Sequence, residues 1–260
     1  MSFIYSRVKK MRIFLSFDFD ADSAEQLYYS DKPVKISRAK FSVNIGLDRV
    51  LRLLRKYSIK TTFFVPGWVA ENYQNHVIKI INDGHEIALH GYKHEKLDEL
   101  SYDEEVRIHS KSIEILKRFQ SDLYGFRRPY WELSKHTLRI LVAKGIIYDS
   151  SLMDHEEPYL LKINGQKIVE LPVYDTFDDW ILFELEYRSP LEVLNDWKYW
   201  LDTLIEEKVN YFCLILHPAC IGRTPRLKIL EDFIQYALRK GCTFKKGVQL
   251  AKETLRNIKE

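Results

Sequence analysis

Cysteine is scarce in this sequence of 260 residues, which contains only three of them. They lie at Cys213, Cys220 and Cys242, without the regular spacing that marks a disulfide framework. We therefore interpret them as free thiols of a protein from a reducing compartment, and we place Cys213 inside a predicted strand.

Long apolar segments and blocks of one charge sign are also absent. No stretch approaches the roughly 18 apolar residues of a membrane-spanning helix. Basic residues from Arg7 to Arg12 precede an apolar run from Ile13 to Phe17, but this run is too short for a signal peptide and no cleavage site follows it. The net charge of +3, without a long basic run, argues against electrostatic capture of nucleic acid. We expect a cytoplasmic protein whose partners include neither a membrane nor nucleic acid.

Glycine-rich phosphate loops, low-complexity linkers and internal repeats are missing as well. What the sequence does contain is a regular alternation of strand-like and helix-like segments. About seven β–α units in series require a parallel sheet, because parallel neighbours are joined by crossover connections. Without a phosphate loop, a closed or nearly closed barrel is favoured over an open doubly wound sheet. We predict one α/β domain over residues 1–260, with parallel strands and outer helices.

Hydrophobic periodicity and turn residues predict the individual elements. The predicted strands are residues 11–19, 60–65, 86–89, 124–126, 146–148, 168–171, 211–216 and 242–244. The predicted helices are residues 43–57, 68–82, 101–120, 134–144, 226–239 and 247–258, with a further helix that starts at the capping box of Ser189. The polar connection 22–41 is predicted to be a loop that serves as a rim of the barrel or as an oligomer contact. The segment between residues 148 and 168 is predicted to be irregular.

A pair of histidines follows the third predicted strand. His90 and His94 are spaced as H-x-x-x-H, and they would share one face if residues 90–94 turned helically. Two neutral imidazoles on one face can hold a divalent metal ion. The pattern alone is weak evidence, because two polar loop residues would show the same spacing.

Other predicted strands also end in chemically active side chains. Asp18 and Asp20 end the first strand and point the same way, because side chains alternate with period two. Arg127, Asp149 and His217 follow three later strands. Each alone has an ordinary explanation as a solvated acid, a surface charge or a capping residue. In barrels of parallel strands the carboxyl ends meet at one rim, so we expect these groups to converge with the histidines. There, an aspartate and two histidines would leave open positions on a catalytic metal ion.

At these residues the sequence resembles the polysaccharide deacetylases, the NodB-homology domain of carbohydrate esterase family four. All five motifs of that family have counterparts in the right order, over roughly residues 12 to 218. The five counterparts are Ser16-Phe17-Asp18-Phe19-Asp20-Ala21 for Thr-Phe-Asp-Asp-Gly, His90–His94 for His-Ser/Thr-x-x-His, Arg127–Tyr130 for Arg-x-Pro-Tyr/Phe, Tyr148–Leu152 for the fourth motif, and Leu214–His217 for Leu-x-x-His. The resemblance implies a distorted (β/α)7 barrel, in agreement with the number of β–α units.

The resemblance also implies a metal centre and a base. Asp20, His90 and His94 are the expected ligands of a divalent metal ion. Zn²⁺ is the first choice, and Co²⁺, Ni²⁺ or Mn²⁺ are the alternatives. Asp18 is the expected general base, and Arg127 is expected to hold it ionised and oriented.

The other implied roles concern the leaving group and the substrate. His217 is the expected general acid, and Asp149 is expected to tune or hold it. The backbone N–H of Tyr130 is expected to stabilise the oxyanion. The candidates for the pocket wall are Trp131, Trp68 and Tyr28 or Tyr29.

Two departures from the family pattern bear on the substrate. The acidic motif is Asp-Phe-Asp rather than Asp-Asp-Gly, and Gly91 stands where serine or threonine is usual. Both resemble the branch of peptidoglycan-deacetylase-like and allantoinase-related proteins. In that branch homo-oligomers are common, the substrates differ, and not every member needs a metal.

Three functions are therefore open at this point. The first is metal-dependent de-N-acetylation of an N-acetyl sugar or a related carbohydrate. The second is hydrolysis of a small linear or cyclic amide or imide, and the third is sugar binding without catalysis. The third is least favoured because no predicted acid, base or ligand is lost. A small substrate would need a closed pocket around residues 22–41, whereas an oligosaccharide would need an open groove.

Overall fold

The computed structural model describes residues 10–257 of the chain. The basic residues Arg7 and Lys9 and the last residue of the predicted C-terminal helix, Ile258, lie outside the described residues.

Nine strands form a single sheet in the described part of the chain. Their bounds are β1 Arg12–Asp18, β2 Thr62–Val65, β3 Glu86–Leu89, β4 Gly125–Phe126, β5 Tyr148–Asp149, β6 Tyr159–Ile163, β7 Gln166–Glu170, β8 Tyr211–Leu216 and β9 Thr243–Phe244. The order along the sheet is β6-β7-β5-β4-β3-β2-β1-β8, and β9 pairs with β1. Only the β6–β7 pair is antiparallel. The mostly parallel strands curl into a half-barrel, which confirms the predicted distorted (β/α)7 architecture.

Helices fill the connections between the strands. Their bounds are α1 Ser23–Tyr28, α2 Pro33–Phe41, α3 Leu47–Lys56, α4 Gly67–Asn72, α5 Gln74–Asn82, α6 Tyr102–Leu116, α7 Thr137–Ala143, α8 Pro190–Glu206, α9 Thr224–Arg239 and α10 Gly247–Asn257. Helices α6 and α8 begin at the predicted capping boxes of Ser101 and Ser189. Within residues 10–257, no helix is both long enough and apolar enough to cross a membrane.

The central strand β1 has both faces buried, which explains its nearly continuous apolar sequence. Ile13, Leu15 and Phe17 belong to the large hydrophobic cluster beneath the helices. Phe14 belongs to a second cluster, in which it packs with residues of β2, β5 and β8 on the inner side of the sheet. Because side chains alternate along a strand, Asp18 shares the face of Phe14 and points to the inside of the barrel.

The connection after β1 differs from the predicted loop, because it contains two helices. Helix α2 begins with Pro33 in its first turn, where a proline costs no hydrogen bond and its fixed φ suits the helix. A π-helical turn, Ser42–Gly46, then joins α2 to α3. Residues 22–41 therefore form an ordered wall beside the carboxyl end of β1.

The segment predicted to be irregular contains a β-hairpin. Strands β6 and β7 pair antiparallel, with Ile163 opposite Gln166. Asn164 and Gly165 connect them with φ values of 49° and 78°. Positive φ at both positions is the backbone of a type I′ turn, for which Asn-Gly is the preferred sequence. The Asn-Gly pair is thus a local hairpin signal in the sequence, independent of hydrophobic periodicity.

Candidate active site

The side chains predicted at the strand ends converge at one end of the barrel. Asp18 is the last residue of β1, Asp20 lies two residues later, and His90 directly follows β3. His217 directly follows β8, which pairs with β1 in parallel. The Nε2 atom of His217 lies 4.0 Å from Oδ2 of Asp18 and 3.8 Å from Oδ2 of Asp20. The sheet register thus brings residues almost 200 positions apart in sequence into one cluster.

Asp18 is paired with a buried arginine. Nη1 of Arg127 donates to Oδ1 of Asp18 at 2.9 Å, and Arg127 itself is only 2% exposed. Arg127 also donates to the hydroxyls of Ser16 and Ser150, which fix the position of its guanidinium group. Burial alone would raise the pKa of Asp18, but the charge of Arg127, followed by those of His90 and His217, brings it below the usual value. Asp18 is therefore held as an oriented carboxylate.

Asp20, His90 and His94 form a group that fits a divalent metal ion. Their potential ligand atoms lie within 4.8 Å of one another. Oδ1 of Asp20 lies 3.4 Å from Nε2 of His90, and Oδ2 lies 3.8 Å from Nε2 of His94. In the described residues, Asp20 Oδ1, His90 Nε2 and His94 Nδ1 are buried without a hydrogen-bond partner. Buried polar atoms without partners are costly, and a cation among them would remove that cost.

The protonation states of the two histidines also suit a metal site. Burial lowers the pKa of His90 to about 4 and places that of His94 well below its usual value, so both imidazoles are neutral. Neutral imidazole is the form that binds metals. Nδ1 of His90 faces the carbonyl oxygen of Arg127 at 2.8 Å, which directs the lone pair of Nε2 towards Asp20. Burial raises the pKa of Asp20 to about 8, and the charge of His217 opposes this shift only in part, because nearby acids such as Asp18 add to it.

The histidine pair does not lie on a helix, although its H-x-x-x-H spacing would place both imidazoles on one face of a helical turn. His90 and His94 bracket a tight turn in which Gly91 has φ of +68° and His94 has φ of 62°. A Cβ at position 91 would meet Pro129 and Glu95 at 3.0 Å, so this turn needs glycine for both space and backbone conformation. The carboxylate of Glu95 accepts the backbone N–H groups of the two residues after Gly91. The two imidazole rings therefore meet with centroids 5.1 Å apart without a helix.

His217 is held by Asp179, so the prediction that Asp149 holds it is wrong. Nδ1 of His217 lies 2.8 Å from Oδ1 of Asp179, and the backbone N–H of His217 donates to the same carboxylate. Asp178 Oδ1 lies 3.6 Å from the same ring nitrogen. Burial would lower the pKa of His217, but the charge of Asp178 and the hydrogen bond with Asp179 raise it well above the usual value. His217 is thus an oriented imidazolium whose Nε2 faces Asp18 and Asp20.

Asp149 has other partners at the end of β5. It is fully buried and accepts a hydrogen bond from the hydroxyl of Ser151 at 2.6 Å. Burial lowers the pKa of Arg128, and the negative charge of Asp149 partly opposes this shift. Asp149 therefore supports Arg128 and the loop after β5, because the barrel places it beside Arg127–Arg128 rather than beside β8.

The cluster lies in a cavity of about 310 Å³. Trp131 and Tyr29, two of the candidates for the pocket wall, line it, and so does Tyr130. Trp68 does not line it, and this part of the prediction is wrong. The ring of Trp68 packs instead against Tyr73, with centroids 6.1 Å apart. Tyr28 contributes indirectly, through a ring that lies 6.0 Å from the ring of Tyr130.

Three neighbouring residues at this site were not predicted. Asp178 and Trp180 line the cavity, and Asp179 anchors His217. They belong to a segment that returns over the barrel, where Asp178 forms an isolated parallel bridge with Ile215 of β8. The only local signal in the sequence was a pair of adjacent acids directly before a tryptophan, outside any predicted strand.

Comparison with known sequences identifies a related family. The family model of the polysaccharide deacetylases matches residues 38–148. The chain is 34% identical to the peptidoglycan deacetylase of Helicobacter pylori over 135 residues, which are 51% of this chain and 46% of that protein. It is 32% identical over 158 residues to the peptidoglycan deacetylase-like protein FGM2 of Gibberella zeae, covering 57% of this chain and 46% of that protein. The chain spans about half the length of the curated relatives it matches.

Comparison with solved structures covers nearly the whole chain. A crystal structure from Mycobacterium smegmatis, assigned to the polysaccharide deacetylases, has a TM-score of 0.89 and 29% identity, over 98% of this chain and 93% of that one. The allantoinase PuuE has a TM-score of 0.87 and 19% identity, over 95% of this chain and 91% of that one, which is a similarity of fold. The family model over residues 38–148, the five family motifs in order and the fold shared with the structure from Mycobacterium smegmatis thus confirm that the chain is related to the polysaccharide deacetylases.

Proposed function

We propose that the protein hydrolyses a C–N amide bond and that its reaction is the de-N-acetylation of an N-acetyl sugar or a related small carbohydrate. One observation carries this proposal. An ionised carboxylate, an imidazolium and a group fit for a metal ion all face one cavity, within 4.0 Å of one another at their nearest atoms. A base, an acid and an electrophilic site are the three parts that amide hydrolysis requires.

Asp18 is the proposed general base. Its carboxylate is the form that accepts a proton from the attacking water, and Arg127 keeps one of its oxygens engaged at 2.9 Å. The other oxygen, Oδ2, faces His90 and His217, which line the cavity together with Asp18. The water would be held beside Oδ2, from where its oxygen can attack the substrate carbonyl.

Asp20, His90 and His94 would hold the metal ion. The ion, Zn²⁺ in the first place, would lower the pKa of water and polarise the amide carbonyl. Asp20 supplies the anionic ligand, and the two neutral imidazoles supply nitrogen ligands. Three protein ligands leave room for water and substrate, which is the arrangement of catalytic rather than structural sites.

His217 is the proposed general acid. Its Nε2 proton faces the reacting groups, while Asp179 fixes the ring through Nδ1. The imidazolium donates this proton to the leaving amine as the C–N bond breaks. The backbone N–H of Tyr130, for which the structure gives no acceptor among residues 10–257, is the proposed donor to the oxyanion. Tyr130 has φ of 54°, a conformation that costs energy in a non-glycine residue and is often kept at functional sites.

A small cyclic or linear amide is the second candidate substrate. Helices α1 and α2 line the cavity and limit it to about 310 Å³, the lower end of small-molecule pockets. This size favours one sugar unit or a small amide over a polymer chain threaded through an open groove.

A hydrolysis screen tests the proposal. Purified protein with Zn²⁺ should release acetate from N-acetylglucosamine or short chito-oligosaccharides, measured by an enzyme-coupled acetate assay. Opening of cyclic amides and imides, measured by loss of their ultraviolet absorbance, would establish the second candidate instead. Binding of the sugars without release of acetate or opening of any amide would contradict both and leave a sugar-binding barrel.

Replacing Asp179 with asparagine is expected to lower kcat at least about tenfold with little change in KM, because His217 would lose the anion that fixes its ring and its charge. Steady-state kinetics on the substrate found in the screen measures this effect. Asp178→Asn is the matched comparison and should have the smaller effect, since its carboxylate lies 3.6 Å from the ring nitrogen. Equal kcat values for Asp179→Asn and the wild type would contradict the assignment of Asp179.

A further inference from the structure

Helix α2 presents two cations to the cavity. Lys35 and Arg38 both line it, and their spacing of three residues places them on one face of the helix. The family resemblance does not involve this helix, because its motifs lie at the ends of the strands. The two cations therefore need an explanation of their own.

Arg38 is positioned close to the reacting groups. Its guanidinium carbon lies 4.8 Å from the centre of the Trp180 ring. The same ring lies 6.3 Å, centroid to centroid, from the imidazole of His217. A single indole thus separates Arg38 from the proposed acid. Stacking on a ring leaves the edge N–H groups of a guanidinium free to bind an anion in the plane.

The charges around Arg38 leave an excess of positive charge. Its side chain is 3.4 Å from Oε2 of Glu184, but Oε1 of Glu184 is engaged by Arg226 at 2.6 Å. The other carboxyl near Lys35 and Arg38 is Glu25, which also lines the cavity and whose pKa is raised by burial. Three cations thus face two carboxyls at this wall.

The remaining charged groups of the cavity have partners of their own. Asp18 is paired with Arg127, and Asp178 lies beside the imidazolium of His217. Arg128, although it also lines the cavity, is compensated by buried Asp149 and by Asp175 at 4.0 Å. Within the described residues, the counter-charges of Lys35 and Arg38 are thus Glu25 and a Glu184 that is shared with Arg226, which leaves Arg38 able to bind a further anion.

We propose that Arg38, assisted by Lys35, recognises an anionic group on the substrate, a carboxylate or a phosphate, one indole ring away from the amide that is cleaved. This inference rests on the proposed function, because it assigns the acidic class of substrate to the same site. The substrate is then a small N-acyl compound that carries an acid. A guanidinium group binds such planar or tetrahedral anions through two parallel N–H groups.

Three probes that share one acetamide group test this subsite. They are neutral N-acetylglucosamine, its 6-phosphate and N-acetylmuramic acid, which carries a carboxylate. We expect the wild type to have a kcat/KM about 10- to 100-fold higher for at least one acidic probe than for the neutral one. The better of the two acidic probes identifies the anionic group. The preference should weaken as the salt concentration rises, because salt screens exposed charges.

Charge variants locate the subsite. Arg38→Gln should remove most of the preference for the acidic probe, and Lys35→Gln should reduce it in part. Lys40→Gln is the matched control, since Lys40 lies on the same helix and pairs with Asp22 at 3.8 Å but does not line the cavity. It should keep the preference of the wild type.

Binding measurements separate this inference from the proposed function. The three probes are titrated calorimetrically into the Asp18→Asn protein and into the same protein with Arg38→Gln. If no probe is cleaved but an acidic probe binds more tightly in an Arg38-dependent manner, the subsite stands and the deacetylase function fails. If the wild type cleaves neutral and acidic probes with equal kcat/KM, the subsite is overturned and the deacetylase function stands.

Discussion

Asparagine in place of Asp18 is expected to lower kcat/KM by about 100- to 10,000-fold, the range of a lost general base. The substitution keeps the shape of the side chain but removes its ability to accept a proton from water. Because Arg127 lowers the pKa of Asp18, this residue is an ionised carboxylate in the wild type, and the substitution removes that carboxylate. Rates of acetate release from the substrate found in the screen, with enzyme at equal folded concentration, measure the effect.

The same substitution is also expected to reduce stability. Arg127 is 2% exposed, and without the Asp18 carboxylate it becomes a buried charge without its main anion. Breaking a buried pair in this way costs about 3–5 kcal/mol of unfolding free energy, which a urea titration measures. Asp48→Asn is the control, because Asp48 is exposed on α3 and should change neither quantity. A well-folded Asp18→Asn protein with the rate of the wild type would refute the role of Asp18 as base.

Removal of the metal ligands should have a comparable effect. Asp20→Ala and His94→Ala are each expected to lose stoichiometric metal, as measured by plasma mass spectrometry, and to lose at least about 1,000-fold in kcat/KM. The reason is that the remaining two ligands cannot hold the ion in place. Without the ion, the amide carbonyl of the substrate is no longer polarised. In the wild type, a chelator should lower the melting temperature, and added Zn²⁺ should restore it, because the ion binds the folded state alone.

A histidine far from the cluster controls for the substitution itself. His155 is exposed in the loop before β6, so His155→Ala should keep the metal and the rate. If Asp20→Ala and His94→Ala keep both the metal and full activity, Asp20, His90 and His94 are not the metal site. If they lose the metal but keep the activity, the reaction does not depend on it.

The sequence was most informative about the elements that carry the motifs. A strand such as β8 is buried on both faces, so its continuous apolar run could be recognised without knowledge of its neighbours. Parallel strands place their carboxyl ends together, and the convergence of Asp18, His90, Arg127 and His217 therefore followed from their positions after the strands. Local rules also located α6 and α8, because capping boxes are complete within four residues.

Long-range partners were beyond the reach of local patterns. Asp149 and Asp179 are both buried acids near the barrel's end, and only the path of the chain decides which one meets His217. The bridge between Asp178 and Ile215 brings the neighbouring Asp179 alongside β8. No periodicity in the sequence encodes that contact. The same holds for Trp68, which packs against Tyr73 and does not line the cavity.

By itself, then, the sequence determined the α/β class, the strands and the set of reacting side chains, because these depend on alternation and on spacing over a few residues. Only the tertiary structure decided that Asp179 anchors His217 and that residues 22–41 form helices that line the cavity. It alone placed Lys35 and Arg38 at the cavity wall. The physical reason is that these features depend on segments that meet in space, where burial and charge are set by neighbours that are distant along the chain.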